Sequence, residues 1–487
     1  MDYFIGVDIG TTATKAVAFD LGGKILARQG IAYPMIHPRP DWSEQDPALI
    51  LRAVIGCIGQ VQRMVQTGQL LGVSFSSAMH SLMAVDAAGH PLTPLIIWAD
   101  NRASAEADRF RADELAQSLY QRTGLPIHPM SPFCKLQWLA RHESRLFAEA
   151  HKFIGIKEYV FHQFFGTYLI DHSLASATGL FNLATLDWDA GALAMAGIGP
   201  DRLSVPVPAH YRPTGLALTL AAQMAIPVQT PFFVGGSDGC LANLGSGVIA
   251  PGRMAVTVGT SGAVRIAAPT IQTDAQMRTF CYVLADGHYV SGGGMNNGSV
   301  ILDWWRGQFA LASTSVAGVA DIAPGADGLL CLPYLLGERA PIWNARAKGV
   351  FFGITATHTH AHFTRACMEG VTFALFTIAK ILDERQHSEV VYASGGFAHS
   401  PAWVQILADV FDKPVYLTES VESSAWGAAL IGLKELGVIG NLSDAARFAI
   451  PKHEYLPNPA NREVYVAAVG QFERLYQLLK PEFGFVG

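Results

Sequence analysis

Two short stretches of this chain could hold a phosphate chain. Val7-Asp8-Ile9-Gly10-Thr11-Thr12 recurs in weaker form as Val256-Thr257-Val258-Gly259-Thr260-Ser261. Each reads as an apolar strand, a tight Gly-Thr-Thr/Ser turn and a second apolar strand. Such a turn offers backbone N–H groups and hydroxyls to phosphate oxygens. Two copies, one in each half of the chain, predict two lobes gripping one nucleotide. The copies differ at one charged position, Asp8 against Thr257. One carboxylate beside a triphosphate suits Mg²⁺ and its waters, whereas two would add anionic repulsion.

Asp238 stands in Gly235-Gly236-Ser237-Asp238-Gly239, after an apolar run. A carboxylate at such a strand end can accept a proton from a hydroxyl that attacks phosphorus; capping the next helix is the plainer alternative. Ala393-Ser394-Gly395-Gly396, followed by Ser400-Pro401, lets backbone approach a ribose or a flat ring. Ser291–Ser299 (SGGGMNNGS) is a third glycine-rich turn. Met79-His80 and Trp98, at neighbouring predicted strand ends, suit a polyol. His358-Thr359-His360-Ala361-His362 resembles a metal cluster, but no acidic or cysteine partner is nearby, which weighs against zinc. No GxxxxGK[ST] run occurs, which excludes the P-loop architecture.

These residues need large, well-buried elements to hold them. The chain has 487 residues, half of them hydrophobic and 15% charged, enough for two or three α/β domains. A net charge of −6 argues against a polyanion-binding surface. The six cysteines form no CxxC pair and read as buried thiols in a reducing compartment. No leader is evident, so a cytoplasmic setting is expected. The uncharged run Pro213–Ser237 carries three prolines and reads as loop, helix and buried strand, not as a membrane span. Strands are predicted at Tyr3–Val7, Thr14–Phe19, Ile25–Tyr33, Leu71–Ser76, Leu82–Val85, Arg253–Val258, Gly262–Ala267, Thr279–Leu284, Tyr289–Gly292, Val390–Ser394 and Val415–Leu417. Helices are predicted at Pro47–Gln66, Ser299–Gln308, Thr359–Arg385, Pro401–Phe411 and Ala425–Leu436. Leu174–Asp189 reads as turns, and Gly245–Pro251 as a hinge between lobes.

Taken in order, GVDIGTTATKAVAFD, SSAMHSLMAVD, WADNRA, GGSDGCLANLGSG, VGTSGAV, YLLGERAPIWNARAKGVFFGI and ASGGFAHSP resemble the FGGY family of carbohydrate kinases over nearly the whole chain. Within it, TGLPIHPMSPFCKLQWL and IKEYVFHQFFGTYLIDHSLASATGLFNL are most similar to the bacterial gluconokinase branch, and somewhat less to xylulokinases. The resemblance implies an α/β fold of two actin-like (ribonuclease H-like) domains with a nucleotide cleft between them. Residues 1–246 would bind sugar and carry the base, and residues 247–487 would bind nucleotide.

It further implies transfer of the γ-phosphoryl group of ATP, with Mg²⁺, to a sugar or sugar acid. Gluconate would give 6-phosphogluconate; a pentulose such as xylulose is the alternative acceptor. A non-kinase actin-like ATPase or a sugar-sensing regulator is a further alternative. Asp238 matches the family's general base and Asp8 the residue near Mg²⁺. Thr11, Thr12 and Lys15 match the first phosphate turn, Gly259 and Thr260 the second. Gly298, Gly395, Gly396 and Ser400 match the remaining ATP contacts. Met79, His80 and Trp98 fall on the acceptor side, with Met130 as a further candidate. Met79-His80 replaces the Arg-Glu of glycerol kinases, which argues against glycerol. A sugar acid needs a cation for its carboxylate, and Arg102, His128 and Lys135 are the candidates. Neither a nucleic-acid partner nor a membrane is implied, and a homodimer is compatible with the family.

Overall fold

The computed structural model describes residues 2–308, 318–418 and 422–484. They fall into two units. The first comprises Met1–Ile249, Ala268–Val290 and Glu422–Phe448; the second comprises Ala250–Ala267, Ser291–Val421 and Ala449–Gly487. The chain thus first passes between them at Ile249–Ala250.

In the first unit, the apolar run YFIGVDI forms β1 (Tyr3–Ile9), buried along nearly its whole length. The Gly10–Thr12 turn leads into antiparallel β2 (Ala13–Asp20), placing Asp8 opposite Lys15. β3 (Ile25–Ala32) alternates in exposure, as an edge strand with one solvated face should. β4 (Leu70–Ser77) runs parallel to β1, and β5 (Phe232–Ser237) parallel to β4, giving the order β5-β4-β1-β2-β3. Helix Pro47–Met64 buries Ile50, Val54, Cys57, Ile58 and Val61 against β2 and β3. Its cap, Asp46, accepts from the Ala48 N–H at 2.8 Å. Helix Ser423–Glu435 packs on β1 and β4, and also on helix Asp238–Gly245. Close approach depends on Gly6, where a Cβ would sit 2.0 Å from the Ala425 carbonyl oxygen.

The second unit repeats the connectivity. β6 (Arg253–Val258) and β7 (Gly262–Ala268) form an antiparallel hairpin. β8 (Val390–Ser394) runs parallel to β6, and β9 (Val415–Thr418) parallel to β8. β10 (Pro451–Tyr455) adds an antiparallel edge. Helix His360–Asp383 fills the core with Cys367, Met368, Val371, Leu375 and Ile378. Its Arg365 is buried but satisfied, donating to Glu369 at 2.8 Å and to the Tyr465 hydroxyl at 2.9 Å. Hairpin, parallel neighbour, parallel neighbour is the order in both units, so the repeat read from sequence is a repeat of fold.

Two segments depart from expectation. Leu174–Asp189 was expected as turns, but it overlaps helix His172–Ser176 and contains the ribbon Phe181–Asn182/Asp187–Trp188. Asp171 caps that helix, accepting from the Leu174 N–H at 2.9 Å, and five residues are too few to show a helical period. The glycines of Ser291–Ser299 lie partly in strand His288–Met295, not in a turn. Glycine is there for proximity: a Cβ on Gly292 would sit 2.3 Å from the Val264 carbonyl oxygen. All six cysteines are buried and free. Among the described residues, no helix is long and apolar enough to cross a membrane.

Gly6→Ala should cost about 1–3 kcal/mol, because strand or helix must move to admit the methyl group. A lowered thermal midpoint with secondary structure retained is expected; an unchanged midpoint would show that the contact is slack.

Candidate active site

The carboxyl ends of β1, β4 and β5 bring the first unit's candidate residues to one edge of the sheet. Asp8 pairs in register with Ser76, and Ser76 with Gly236, so these three form one row across the sheet. Ile9, Ser77 and Ser237 form the next row, and Asp238 follows immediately. Two strand spacings put the Asp8 and Gly236 positions about 10 Å apart.

Asp8 takes a hydrogen bond on Oδ1 from the Ser76 hydroxyl at 2.7 Å. Burial pushes its pKa upward; the Ser76 bond and Lys15 oppose this, and Glu422 adds to it. A bound cation would reverse that penalty. The second unit repeats the arrangement without charge: Thr257 pairs in register with Ser394, their hydroxyls 3.1 Å apart.

The Gly10–Thr12 turn is tied down from several sides. The Tyr33 hydroxyl donates to the Gly10 carbonyl at 2.6 Å, and the Gln45 amide to the Thr11 carbonyl at 2.6 Å. Trp98 Nε1 donates to the Thr11 hydroxyl at 2.9 Å, joining the expected acceptor side to the phosphate turn. Thr12 is exposed at the turn. Lys15 extends from β2, half-exposed, and pairs with Glu422 at 3.0 Å. Sequence reasoning missed Glu422: its partner lies at the far end of the chain, and no local pattern marks it.

Asp238 opens helix Asp238–Gly245, and its Oδ1 accepts from the Gly239 N–H at 2.7 Å. The residues before it are held firmly. Lys157 donates to the Gly236 carbonyl at 3.0 Å and pairs with Asp171 at 2.6 Å, both side chains fully buried. The Ser173 and Ser237 hydroxyls are 2.8 Å apart. Ser424 donates to the Asp238 carbonyl at 3.2 Å.

Met79 and His80 follow β4. His80 has φ of 67°, uncommon for a residue with a side chain, and its Nδ1 donates to the Ala177 carbonyl at 2.7 Å. Met130 is buried, and its N–H donates to His128 Nδ1 at 3.2 Å. Two of the three candidate cations are committed elsewhere. Arg102 donates to Asp100 Oδ2 at 2.8 Å and to Glu44 Oε1 at 2.6 Å, and lies 3.7 Å over the Trp42 ring. Lys135 donates to three backbone carbonyls.

In the second unit, Gly259, Thr260, Gly298 and Gly395 converge at the ends of β6 and β8. The Gly298 N–H donates to the Thr260 carbonyl at 2.9 Å, and Ser299 N–H to the Gly259 carbonyl at 2.7 Å. Gly395 has φ of 103°, and a Cβ there would lie 2.3 Å from the Val258 carbonyl oxygen. Gly259 and Gly396 face open space, leaving their backbone approachable. Ser400 immediately precedes helix Pro401–Phe411. Within the histidine run, the His358 and His362 rings lie 5.2 Å apart and both reach Asp327, while His360 turns to Trp305. His358 Nδ1 accepts from the Thr355 N–H at 3.0 Å, His360 Nε2 from Trp305 Nε1 at 2.8 Å, and His362 pairs with Asp327 at 3.0 Å. Among the described residues, no three His, Cys, Asp or Glu side chains gather where they could share a metal ion.

Two actin-like cores, each with a Gly-Thr turn after its first strand, and a carboxylate opening a helix at one sheet edge, define a sugar-kinase architecture. Residues 3–245 match the FGGY family of carbohydrate kinases, N-terminal domain, and residues 254–436 its C-terminal domain; the chain belongs to that family. It is 41% identical to a gluconokinase of Bacillus subtilis (strain 168), over 99% of this chain and 97% of the relative. Two solved Lactobacillus acidophilus structures, a gluconate kinase and a ligand-bound xylulose kinase, each superpose with a TM-score of 0.96 at 33% identity, covering 100% of both chains.

Arg102→Met should destabilise by about 3–5 kcal/mol, because it strands the buried Asp100 and Glu44 carboxylates. Turnover of acidic and neutral acceptors should fall in parallel. A loss confined to an acidic acceptor would instead place Arg102 on the substrate.

Proposed function

We propose that this enzyme transfers the γ-phosphoryl group of ATP to the 6-hydroxyl of D-gluconate, giving 6-phosphogluconate and ADP. The observation that carries the chemistry is the row Asp8–Ser76–Gly236, which sets the first phosphate turn and Asp238 on one edge of one sheet. The full-length 41% identity to a gluconokinase supports gluconate as acceptor. Xylulose is the second reading, favoured by the equal superposition on the xylulose kinase structure.

In this reading Asp238 accepts the proton of the attacking hydroxyl as the new O–P bond forms and the bond from the γ-phosphorus to the bridging oxygen breaks. Thr11, Thr12 and Lys15 meet the phosphates from the first unit. Gly259, Thr260 and Gly298 do so from the second, with Gly395, Gly396 and Ser400 holding the nucleoside. Lys15 must then exchange Glu422 for phosphate, a swap between two anionic partners. Met79, His80, Trp98 and Met130 form the acceptor side. Asp8 fits a divalent cation, since its buried carboxylate is raised in pKa and engaged on one oxygen by Ser76. Mg²⁺ there, held through water, would offset charge on the phosphoryl oxygens. The division of labour is base and acceptor on residues 1–246, nucleotide on residues 247–487. A cytoplasmic enzyme, free of nucleic acid and able to pair as a homodimer, fits this reading.

A coupled ADP assay with gluconate, xylulose, ribulose, glycerol and no acceptor tests the substrate. Gluconate should lead in kcat/KM by about tenfold or more. Equal ADP release without acceptor would overturn the kinase reading. Asp238→Asn should lower kcat about 10²–10⁴-fold with ATP affinity little changed; near-normal kcat would remove Asp238 as base. Asp8→Ala should weaken Mg²⁺-dependent turnover far more than gluconate binding, measured by Mg²⁺ titration beside calorimetry. Equal loss of both would mean misfolding.

A further inference from the structure

Lys135 lies in helix Pro132–His142 and is fully buried. A buried ammonium normally sits against a carboxylate, because its desolvation is costly. Lys135 instead spends its three N–H donors on backbone. Nζ donates to the carbonyls of His80 at 2.6 Å, Ile97 at 2.9 Å and Ile96 at 3.3 Å. Those carbonyls come from two separate segments. One is the turn after β4, which carries Met79 and, in a left-handed backbone conformation, His80. The other is the strand end that delivers Trp98, whose indole holds Thr11. The two segments assigned to the acceptor meet at the Leu82–Ile96 bridge, and Lys135 adds a tie beyond it, from the His80 turn to Ile97.

We propose that Lys135 is the positioning residue of the acceptor site, setting sugar affinity through His80 and Trp98 without itself touching sugar. The inference rests on the acceptor assignment made above. An apolar side chain of equal length would fill the space but withdraw one donor from each of these buried carbonyls; Ile96 and Ile97 would keep only the N–H groups of Leu82 and Asp100. The His80 turn would then lose its tie to Ile97 beyond the Leu82–Ile96 bridge, and the loss would appear in acceptor binding.

The geometry also makes the clamp sensitive to proton loss. A neutral amine has two N–H donors and turns a lone pair toward the third carbonyl. Burial pushes Lys135 down to about 7; Asp100 opposes this, Arg102 adds to it, and Cys134 opposes it. His80, whose carbonyl Lys135 holds, carries a titratable ring; Arg141 and His142 at the end of this helix face Glu106, and Arg145 pairs with Glu149 on the adjoining helix Ser144–Glu149. Arg111 and Glu106 act on Cys134, Glu44 is paired with Arg102, and helix Ala190–Ala196 contributes none. Cys134 stays a neutral thiol, because burial raises it to about 11. A folded-state pKa below that of the unfolded chain means the folded enzyme gives up this proton first. Lys135 therefore adds to stability as pH rises above about 7, while its grip weakens. Fold stability and acceptor affinity move in opposite directions, which a purely structural lysine would not produce.

Initial rates at saturating MgATP, with gluconate varied between about pH 6 and 9, test this in the native enzyme. Gluconate KM should rise several-fold across the range, with kcat and MgATP KM changing much less. Lys135→Met should raise gluconate KM about tenfold at every pH and remove its pH dependence; Lys135→Arg should recover part of the affinity with a flat profile. A Lys135→Met enzyme with wild-type gluconate KM, or with gluconate KM, MgATP KM and kcat all degraded alike, would overturn the proposal. If that variant does not fold, a flat wild-type profile overturns it and a rising one supports it. The base assignment fails separately, through Asp238→Asn, and the acceptor assignment through the substrate panel.

Discussion

The Ser76 hydroxyl meets Asp8 at 2.7 Å between two parallel strands, and Ser394 meets Thr257 at 3.1 Å at the matching place in the second unit. The same backbone frame supports an anion once and a neutral hydroxyl once. A serine at that register serves both cases, since a hydroxyl can donate to a carboxylate or share a hydrogen bond with another hydroxyl. Parallel pairing is what makes the motif work. It brings three strand ends to a common edge, where turns and helix starts present N–H groups outward. Everything assigned to chemistry in the first unit hangs from this edge.

Holding that edge in place calls for unusual interior groups. The first unit buries Lys135, Lys157 and Arg102, each within reach of a strand end or turn. Arg102 is matched by two carboxylates and Lys157 by one; Lys135 relies on carbonyl dipoles. Lys135 and Lys157 add donors to backbone carbonyls near the strand ends, and Arg102 binds two carboxylates there, so each fixes a local geometry. The second unit answers a similar need with glycine, whose backbone packs against backbone at Gly298 and Gly395.

Much of this was legible in the residues. Apolar runs ending in Gly-Thr gave β1 and β6, and their likeness exposed the repeated fold before any tertiary contact was known. Asp46 before Pro47 marked a helix start, and the capped helix is there. Other features left no local trace. Helix Ser423–Glu435 packs on β1, yet its own sequence reports only that it is apolar and small-residue-rich. Lys135 and Arg102 looked like ligands for a carboxylate, because a cation in an apolar segment reads alike whether it serves substrate or backbone. In the His358–His362 run, the residues four apart meet and His360, two from each, points elsewhere, as side chains on a helical turn do.

Gly6 and Ala425 touch, although they lie far apart along the chain. The first unit draws on three stretches of chain, the last of them beginning at Glu422. On the ribosome, β1 to β5 would emerge long before the helix that covers β1, leaving an apolar sheet face waiting for most of the synthesis. Such wide sequence separation slows assembly and prolongs the exposure of sticky surface. The enzyme's need for chaperones should therefore be set by the stretch from Glu422 that completes the first unit rather than by the residues at the sheet edge.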